Sequence, residues 1–404
     1  MHYNNLMKKK IVACATALSF MIAAGAVFAG CKDDQVYGKQ FYSMKTFATL
    51  AAAHSDISEE KFDALCDMVG DFLTQTENSI SSVLSTSCIY KFNVADAGAT
   101  VEIDKTSYEI LSLAKQVYAD TDGYFNPAVW YSEDLYGFLD HSSAELADMP
   151  YMREWVGEDE NRYLPLPDEK YVTAFCELSG YFGKVGLSEE SGKYYATKPV
   201  ETVKVEGDDR EYSLRIDLGG IGKGWCADKV NEMLEEEGIE YGYFSFSESS
   251  MSLKKYVGNN SGNYTLMMSD PRGAFGAPYA SVRVSGENLS TSGDHRLYYY
   301  VDGVRYSHII DPMSGSPVQT GIASVTVIGG SAAQADALTT ALAAMGRDKA
   351  VAYINENLTD RKVVMLIMED GGGKIITNCP DKIKIENSAY TLANTVEGGK
   401  IVLK

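Results

Sequence analysis

The 404-residue sequence predicts an α+β fold, in which mixed and antiparallel sheets pack with helices around a central cleft. Apolar residues recur at helical spacing in several long segments. Short alternating runs of apolar and polar residues, separated by Gly and Asp, dominate residues 241–306 and predict antiparallel strands. No internal repeat or linker interrupts residues 44–370, so we expect one folded unit rather than separate domains.

The N-terminus has the pattern of an exported bacterial lipoprotein. Three lysines at 8–10 precede an apolar run at 11–28, and Cys31 directly follows Ala-Gly. We therefore predict a signal peptide over residues 1–30 and a lipid anchor with a short linker over 31–43. A membrane-spanning helix is the alternative, but a run of about 18 residues is at the short limit for a span. The predicted location is the extracytoplasmic side of a bacterial cell envelope, where the lipid on Cys31 would hold the chain to the membrane.

The remaining helices and strands follow from apolar periodicity and turn signals along the chain. Helices are predicted at residues 58–84, 107–119, 165–178, 226–237 and 333–345. Strands are predicted at residues 193–196, 202–205, 212–216, 323–330 and 363–370. Residues 139–162 are acidic and irregular and are expected to form a surface excursion without an assigned function. Residues 371–404 are expected to form a C-terminal extension.

The formal net charge is −20, which excludes a nucleic-acid-binding protein because such a protein would carry a basic surface. An anionic ligand would have to be held by local cations and backbone N–H groups. Of the seven cysteines, Cys14 lies in the predicted signal peptide and Cys31 carries the predicted lipid. The other five have neither a CxxC motif nor metal-ligand spacing, so we predict no disulfide framework and no zinc site.

A glycine-rich segment, DLGGIGKG at residues 217–224, lies between a predicted strand and a predicted helix. Glycines let the backbone approach a ligand closely, and the N-terminus of the following helix favours anions. The spacing fits neither the Walker A loop nor the dinucleotide-binding fingerprint. From the residues alone, a tight turn below a helix and a ligand contact around Lys223 remain alternatives.

Two further segments contain residues suited to metal and phosphate chemistry. His308 and Asp311 stand just before a turn rich in Pro and Gly. Asp336 and Thr340 are four residues apart, so a carboxylate and a hydroxyl lie on the same face of a predicted helix. This pair suits a hard cation such as Mg²⁺, although an Asp early in a helix can also simply interact with the helix dipole. The pattern predicts a metal-assisted site for a phosphate-bearing ligand.

These segments, in this order, resemble the FAD:protein FMN transferases, the ApbE family of flavin-trafficking lipoproteins. The strongest are IDLGGIGKGWCAD at 216–228, YSHIIDPMSGSPV at 306–318 and QADALTTALAAMG at 334–346. Weaker agreement comes from Met44, ENSISSVLSTSCIYKFN at 77–93 and TDGYFNPAV at 121–129. The resemblance covers about residues 44–370, and it implies a single α+β unit with a cleft for FAD and Mg²⁺.

The resemblance also implies roles for particular residues. The implied metal ligands are Asp336, Thr340, the backbone carbonyl of Gly222 and, as a further oxygen, Thr339. The implied FAD contacts are Met44, Val83, Tyr124, Phe125, Asn126, Gly219, Gly220, Lys223, Trp225, His308 and Ile309. Catalytic candidates are His308, Asp311, Lys223 and Asp228. Val83 and Asn126 depart from the family, which often has an aromatic or polar residue at the first position and usually Asp at the second.

The implied reaction is the Mg²⁺-dependent transfer of FMN from FAD to a threonine or serine hydroxyl of an acceptor flavoprotein, with release of AMP. In the family, such acceptors are flavin-carrying subunits of membrane redox pumps and extracellular flavoprotein reductases. Two other functions stay open. One is an FAD-binding or flavin-scavenging lipoprotein without transfer activity, and the other is an FAD pyrophosphatase that uses water as the nucleophile.

Overall fold

The computed structural model describes residues 36–139, 149–157, 162–257, 261–274, 276–369 and 372–404. The predicted signal peptide, Cys31 and part of the predicted surface excursion therefore lie outside the described residues. Within these ranges, no helix is both long enough and apolar enough to cross a bilayer. The five cysteines in the same ranges are free thiols.

The described residues form eight α-helices and twenty-three strands. The helices are α1 Glu59–Ile80, α2 Cys88–Val94, α3 Lys105–Asp120, α4 Trp130–Leu135, α5 Glu169–Ser179, α6 Gly219–Glu236, α7 Ala332–Met345 and α8 Arg347–Asn357. Strands β1–β12 are Val36–Ser43, Thr46–Ala53, Thr100–Ile103, Gly186–Glu190, Lys193–Thr197, Thr202–Lys204, Glu211–Ser213, Gly242–Ser245, Ser250–Leu253, Tyr264–Ser269, Pro278–Val284 and Asn288–Gly293. Strands β13–β23 are Tyr298–Val301, Val304–Ser307, Ile310–Asp311, Ser316–Pro317, Ile322–Ile328, Lys362–Glu369, Gly372–Thr377, Ile383–Ile385, Tyr390–Leu392, Asn394–Glu397 and Lys400–Leu403.

A nine-stranded sheet in the order β1-β2-β8-β9-β12-β17-β18-β19-β21 organises the molecule. Its neighbouring strands are antiparallel except for the last pair, β19 and β21, which is parallel. All seven residues of β17 are buried, because this central strand is covered on both faces. Smaller sheets of two or three strands surround it. The predicted α+β fold with mixed and antiparallel sheets is confirmed.

Helices α6 and α7 pack closely against each other beside this sheet. A Cβ atom on Gly224 would lie 2.3 Å from the carbonyl oxygen of Ala332, which no real side chain tolerates. Glycine is therefore required at this crossing, since only a missing side chain allows the two backbones to touch. The contact brings the N-terminal halves of both helices together, and with them Gly222, Lys223 and Asp336, three of the residues predicted to bind a ligand.

Helix α6 begins at Gly219, seven residues before the predicted start at Cys226. The segment predicted as a glycine-rich turn therefore forms the first two turns of the helix. The amide of Gly222 donates to the carbonyl of Leu218 at 2.9 Å, and the Asp217 carboxylate accepts from the amide of Gly219 at 2.6 Å. Glycine is a poor helix former, so tertiary packing and the Asp217 cap decide this boundary rather than local propensity.

The residues predicted as a C-terminal extension add strands to the main sheet through β19 and β21. The last hairpin, β22 and β23, places Ile401 against the core, where only 4% of the residue is exposed. Asn355 of α8 holds this hairpin through two hydrogen bonds with the backbone of Ile401, of 2.7 and 3.0 Å. The chain after residue 371 is thus integral to the folded unit.

Candidate active site

A cleft of about 640 Å³ opens between the main sheet and the ends of several helices. Its walls come from the β1–β2 turn, the end of α1, the segment before α4, the N-terminal turns of α6, and parts of β9, β10, β12 and β17. Thirteen of the predicted site residues line it: Met44, Val83, Tyr124, Phe125, Asn126, Gly219, Gly220, Gly222, Lys223, His308, Ile309, Asp336 and Thr340. Four others, Asp311, Trp225, Asp228 and Thr339, are not among the lining residues.

The N-terminus of α6 presents bare backbone to the cleft. Asp217 fixes this end of the helix, because its carboxylate accepts from the Gly219 amide and also from the Ser82 hydroxyl, each at 2.6 Å. The Lys223 ammonium lies nearby and donates to the carbonyl of Gly219 at 2.9 Å. A Cβ atom on Gly220 would meet the Phe125 ring at 3.4 Å and so narrow the cleft. A helix N-terminus with a lysine beside it favours an anionic group such as a phosphate.

Asp336 and Thr340 reach the same region from α7. Asp336 is 3% exposed, and its two carboxylate oxygens accept from the Gly224 amide at 3.1 Å and the Ser290 hydroxyl at 2.9 Å. These bonds hold the carboxylate rigidly and leave each oxygen a further lone pair. The Thr340 hydroxyl lies 3.4 Å from that of Ser292 and near the backbone of Gly220.

The oxygen chemistry of this set fits Mg²⁺, which prefers carboxylate, hydroxyl and carbonyl oxygens and usually keeps positions for water and substrate phosphates. Among the described residues, no group of three His, Cys, Asp or Glu side chains is arranged to hold a metal. Asp336, Thr340 and the Gly222 carbonyl would therefore supply only part of the coordination sphere. A substrate pyrophosphate lying over the N-terminus of α6 would be in place to supply more.

His308 is half-buried in the cleft wall. Its Nδ1 atom lies 3.3 Å from the carbonyl of Leu297, so the proton is expected on Nδ1 and the lone pair on Nε2. Burial lowers the pKa of His308 to about 4, since the surrounding protein disfavours the charged ring. Near neutral pH, the side chain is a neutral imidazole that can accept a proton.

Comparison with known proteins adds to this geometry. The ApbE family model matches residues 44–365. The chain belongs to the ApbE family. Two of its relatives are named FAD:protein FMN transferase. The protein from Klebsiella pneumoniae (strain 342) is 26% identical, and the match covers 78% of this chain and 80% of the relative. The protein from Escherichia coli (strain K12) is 24% identical, and the match covers 82% of this chain and 87% of the relative. The resemblance stated from the sequence motifs is confirmed.

Solved ApbE structures share the fold. The flavin transferase ApbE from Vibrio cholerae aligns with a TM-score of 0.64 and 23% identity over 85% of this chain and 97% of that structure. The apo form of Pseudomonas stutzeri flavinyl transferase ApbE aligns with a TM-score of 0.65 and 22% identity, and the alignment covers 85% of this chain and 94% of that structure. At this identity the likeness shows the ApbE fold, and the roles of individual residues must be judged from the contacts in this chain.

Two acidic residues predicted to be catalytic, Asp228 and Asp311, have hydrogen-bond partners within the fold. Asp228 accepts hydrogen bonds from the backbone amides of Ala332 and Ala333, at 2.7 and 2.9 Å, and so caps the N-terminus of α7. Burial raises the pKa of Asp228. Asp311 accepts from the amide of Met313 and the hydroxyl of Ser314, both at 2.9 Å, which fixes the turn after β15.

Trp225 and Thr339, predicted to contact FAD and metal, lie inside the protein. Trp225 is 7% exposed and stacks against Phe72 of α1, with ring centroids 5.8 Å apart. Thr339 is fully buried, and its hydroxyl donates to the carbonyl of Asp336 at 2.7 Å. Trp225 lies on a different face of α6 from the residues that line the cleft. The Thr339 hydroxyl also lies 2.7 Å from that of Ser292, which lines the cleft, so Thr339 lies just behind the cleft wall.

Asn126 lines the cleft, but its amide is used within the protein. The Oδ1 atom accepts from the amide of Ala128 at 2.9 Å, and Nδ2 donates to the carbonyl of Ser179 at 3.1 Å. The predicted hydrogen bond from Asn126 to FAD would therefore compete with two existing bonds. The side chain instead shapes the backbone that leads into α4.

The sequence did not single out the β1–β2 turn beyond Met44. Met44 and Lys45 both have positive φ angles, of 50° and 60°, which non-glycine residues rarely adopt. Glu77 of α1 holds the turn, because one of its carboxylate oxygens accepts from both the Ser43 hydroxyl and the Met44 amide at 3.0 Å. Strained backbone of this kind is common at binding sites. The turn was missed in the sequence because two-residue hairpin turns usually contain Gly or Asn, and this one contains neither.

Glu133 and His295 also line the cleft. Glu133 was not predicted to act there, and His295, in the segment TSGDHR, was only a secondary candidate that was expected to form a turn. Each has a buried polar atom without a hydrogen-bond partner in the described part of the chain, Oε2 of Glu133 and Nδ1 of His295. Neither belongs to a motif, since Glu133 lies in an ordinary helical segment and His295 in a turn. Only the folded structure shows that they line a cavity.

Proposed function

We propose that this ApbE-family protein transfers FMN from FAD to a threonine or serine hydroxyl of an acceptor flavoprotein, with Mg²⁺ as the metal. The acceptor oxygen forms a bond to the phosphorus of the FMN half, the bond between that phosphorus and the bridging oxygen breaks, and AMP leaves. The hydroxyl proton passes to a base at the site. The product is FMN in phosphoester linkage to the acceptor.

The single observation that carries this proposal is the convergence of three elements on one cleft. They are the glycine-rich N-terminus of α6 with Lys223, the Asp336–Thr340 face of α7, and His308 in the opposite segment. An anion site, hard oxygen ligands and a neutral imidazole are the groups that phosphoryl transfer needs. The names of the relatives point to the same chemistry.

The protein's own groups have distinct tasks in this reaction. The Lys223 ammonium and the positive end of the α6 dipole would orient the pyrophosphate, and the Nε2 atom of His308 would accept the proton of the acceptor hydroxyl. Asp336, Thr340 and the Gly222 carbonyl would hold Mg²⁺, which when bound neutralises negative charge on the phosphates. The Asp336 carboxylate is already fixed by Gly224 and Ser290, so little rearrangement is needed.

The deciding experiment uses the chain from Lys32 with FAD, Mg²⁺ and a co-encoded candidate acceptor. The acceptor should gain the mass of FMN less water, and AMP should appear in equal amount. Asp336→Ala should reduce the rate by at least about 100-fold, because a metal ligand and its charge are lost. Asp348→Ala is the control, since this exposed residue of α8 pairs with its neighbour Arg347 on the surface and does not line the cleft among the described residues.

Other outcomes would favour the two alternatives. Free FMN and AMP without a mass gain would indicate an FAD pyrophosphatase with water as the nucleophile. Intact bound FAD without AMP, after a second acceptor had also failed, would indicate an FAD-binding protein. Activity unchanged in Asp336→Ala would contradict the proposed metal site.

We also propose that the protein is a lipoprotein of the cell envelope, anchored through Cys31. The charged and apolar segments before Cys31 support this, as does the reaction, because acceptors in the family belong to membrane or extracellular redox proteins. The anchor would keep the enzyme on the same side of the membrane as its acceptor.

A further inference from the structure

Glu133 is a carboxyl group of the cleft that neither the fold nor the proposed reaction uses. It belongs to the six-residue helix α4 and lines the cleft. Its Oε2 atom is buried and has no hydrogen-bond partner among the described residues. The Oδ2 atom of the neighbouring Asp134 accepts from the Tyr151 hydroxyl at 2.6 Å inside the core.

A buried oxygen without a partner does not stabilise the fold, since it has lost water and gained nothing in return. Its charge state is also unusual. Burial, helped by the nearby carboxylates of Asp217 and Asp134, raises the pKa of Glu133 well above its usual range, while Lys45 has a smaller, opposite effect. Burial therefore favours the protonated form, which offers an O–H donor beside a C=O acceptor.

The surroundings limit which part of a ligand can meet this acid. The same cleft has apolar and aromatic lining from Phe125, Val129 and Phe138, which suits a flat ring. Flat rings of FAD carry complementary edges: the N6–H and N1 of adenine, or the N3–H and carbonyl oxygens of isoalloxazine.

We infer that the carboxyl group of Glu133 pairs with a donor–acceptor edge of one ring of bound FAD and helps to determine ligand specificity. The inference deepens the proposed function and rests on it. Asn126, the predicted polar contact in the same wall, has its amide occupied by Ala128 and Ser179. Glu133 thus offers a hydrogen-bonding pair where the expected one is already in use.

The test measures binding of FAD, FMN and AMP by calorimetry, with Mg²⁺ present, to the chain from Lys32. Glu133→Gln keeps a donor and an acceptor without a titrating proton, whereas Glu133→Leu keeps the bulk and removes both. Glu60→Gln, at an exposed position of α1, is the matched control. Melting temperatures are recorded for all variants, and neither change at 133 should lower them, because the removed oxygen has no partner.

We expect FAD binding to be about 10-fold or more weaker in Glu133→Leu and within about threefold of wild type in Glu133→Gln. A parallel loss for FMN identifies the flavin ring as the partner, and a loss for AMP identifies adenine. Equal binding by Glu133→Leu and wild type would overturn the inference. The inference would also be overturned if Glu133→Gln weakened FAD binding as much as Glu133→Leu does, because binding would then require the charge of a carboxylate rather than a donor–acceptor pair. Absence of FAD binding by the wild-type chain would contradict the proposed function itself.

Discussion

His308 illustrates how the setting of one residue determines its chemistry. An ordinary histidine changes charge near pH 6.5, within the physiological range. Here burial lowers the pKa to about 4, and the Leu297 carbonyl fixes the proton on Nδ1. The sequence motif predicted that His308 would matter, but only the fold shows which nitrogen faces outward and that the ring stays neutral.

This setting predicts the pH dependence of the transfer reaction. Protonation of His308 removes the acceptor lone pair as the pH falls through about 4, so the activity should not decline between pH 8 and pH 6 on account of this residue. His308→Gln, which cannot accept a proton, should lower kcat by about 100-fold or more. The exposed His54→Gln should have no effect. The rate of FMN transfer, measured from pH 4 to 8, tests this pH dependence. A midpoint of the activity near pH 6.5 that disappears in His308→Gln would contradict the lowered pKa of His308.

At the scale of elements, the site depends on how α6 and α7 meet. Gly224 allows their backbones to touch, and Asp228 of α6 caps α7 through the amides of Ala332 and Ala333. Asp336 completes the link by accepting from the Gly224 amide. Helix α7 was predicted at 333–345 and is found at Ala332–Met345, because its cap and apolar pattern are local features. The start of α6 was missed, since it depends on partners distant in sequence.

The role of Asp228 is tested by stability rather than by rate. Asp228→Ala should lower the free energy of unfolding by about 1–2 kcal/mol, because two amides of α7 lose their acceptor. Thermal unfolding measures the change, and Glu236→Ala, exposed at the end of the same helix, is the control. FMN transfer by the folded variant should stay within about fivefold of wild type, as expected of a positioning residue. A loss of kcat similar to that of Asp336→Ala, without a loss of stability, would restore the catalytic role.

At the scale of the whole molecule, the predicted anchor limits where the enzyme can act. Strand β1 begins at Val36, five residues after Cys31. Even a fully extended chain would cover only about 17 Å over this distance. The folded unit would therefore stay next to the membrane surface, and the acceptor hydroxyl would have to be presented there.

This arrangement predicts that Cys31→Ala releases the protein from the membrane without changing its chemistry. In cells, the wild-type chain should incorporate a labelled fatty acid and sediment with membranes, whereas the variant should do neither. The purified variant should flavinylate a soluble acceptor at the wild-type rate, because among residues 36–43, the described residues before Met44, none lines the cleft. Membrane retention and labelling of the variant would contradict the lipoprotein assignment.

The sequence by itself determined the fold class, the family and the residue types of the site. Helices with local caps, alternating strands and contiguous motifs depend on neighbours a few residues away, and these can be read directly. The tertiary structure decided which of these residues meet the cleft. The rotation of α6 and α7 turns Asp336 and Thr340 toward it and Trp225 and Thr339 into the core, and the fold buries the unpaired acid of Glu133. Whether a side chain reaches the cleft, and which hydrogen-bond partners it has, depends on segments far apart in sequence. No local sequence pattern can therefore predict either property.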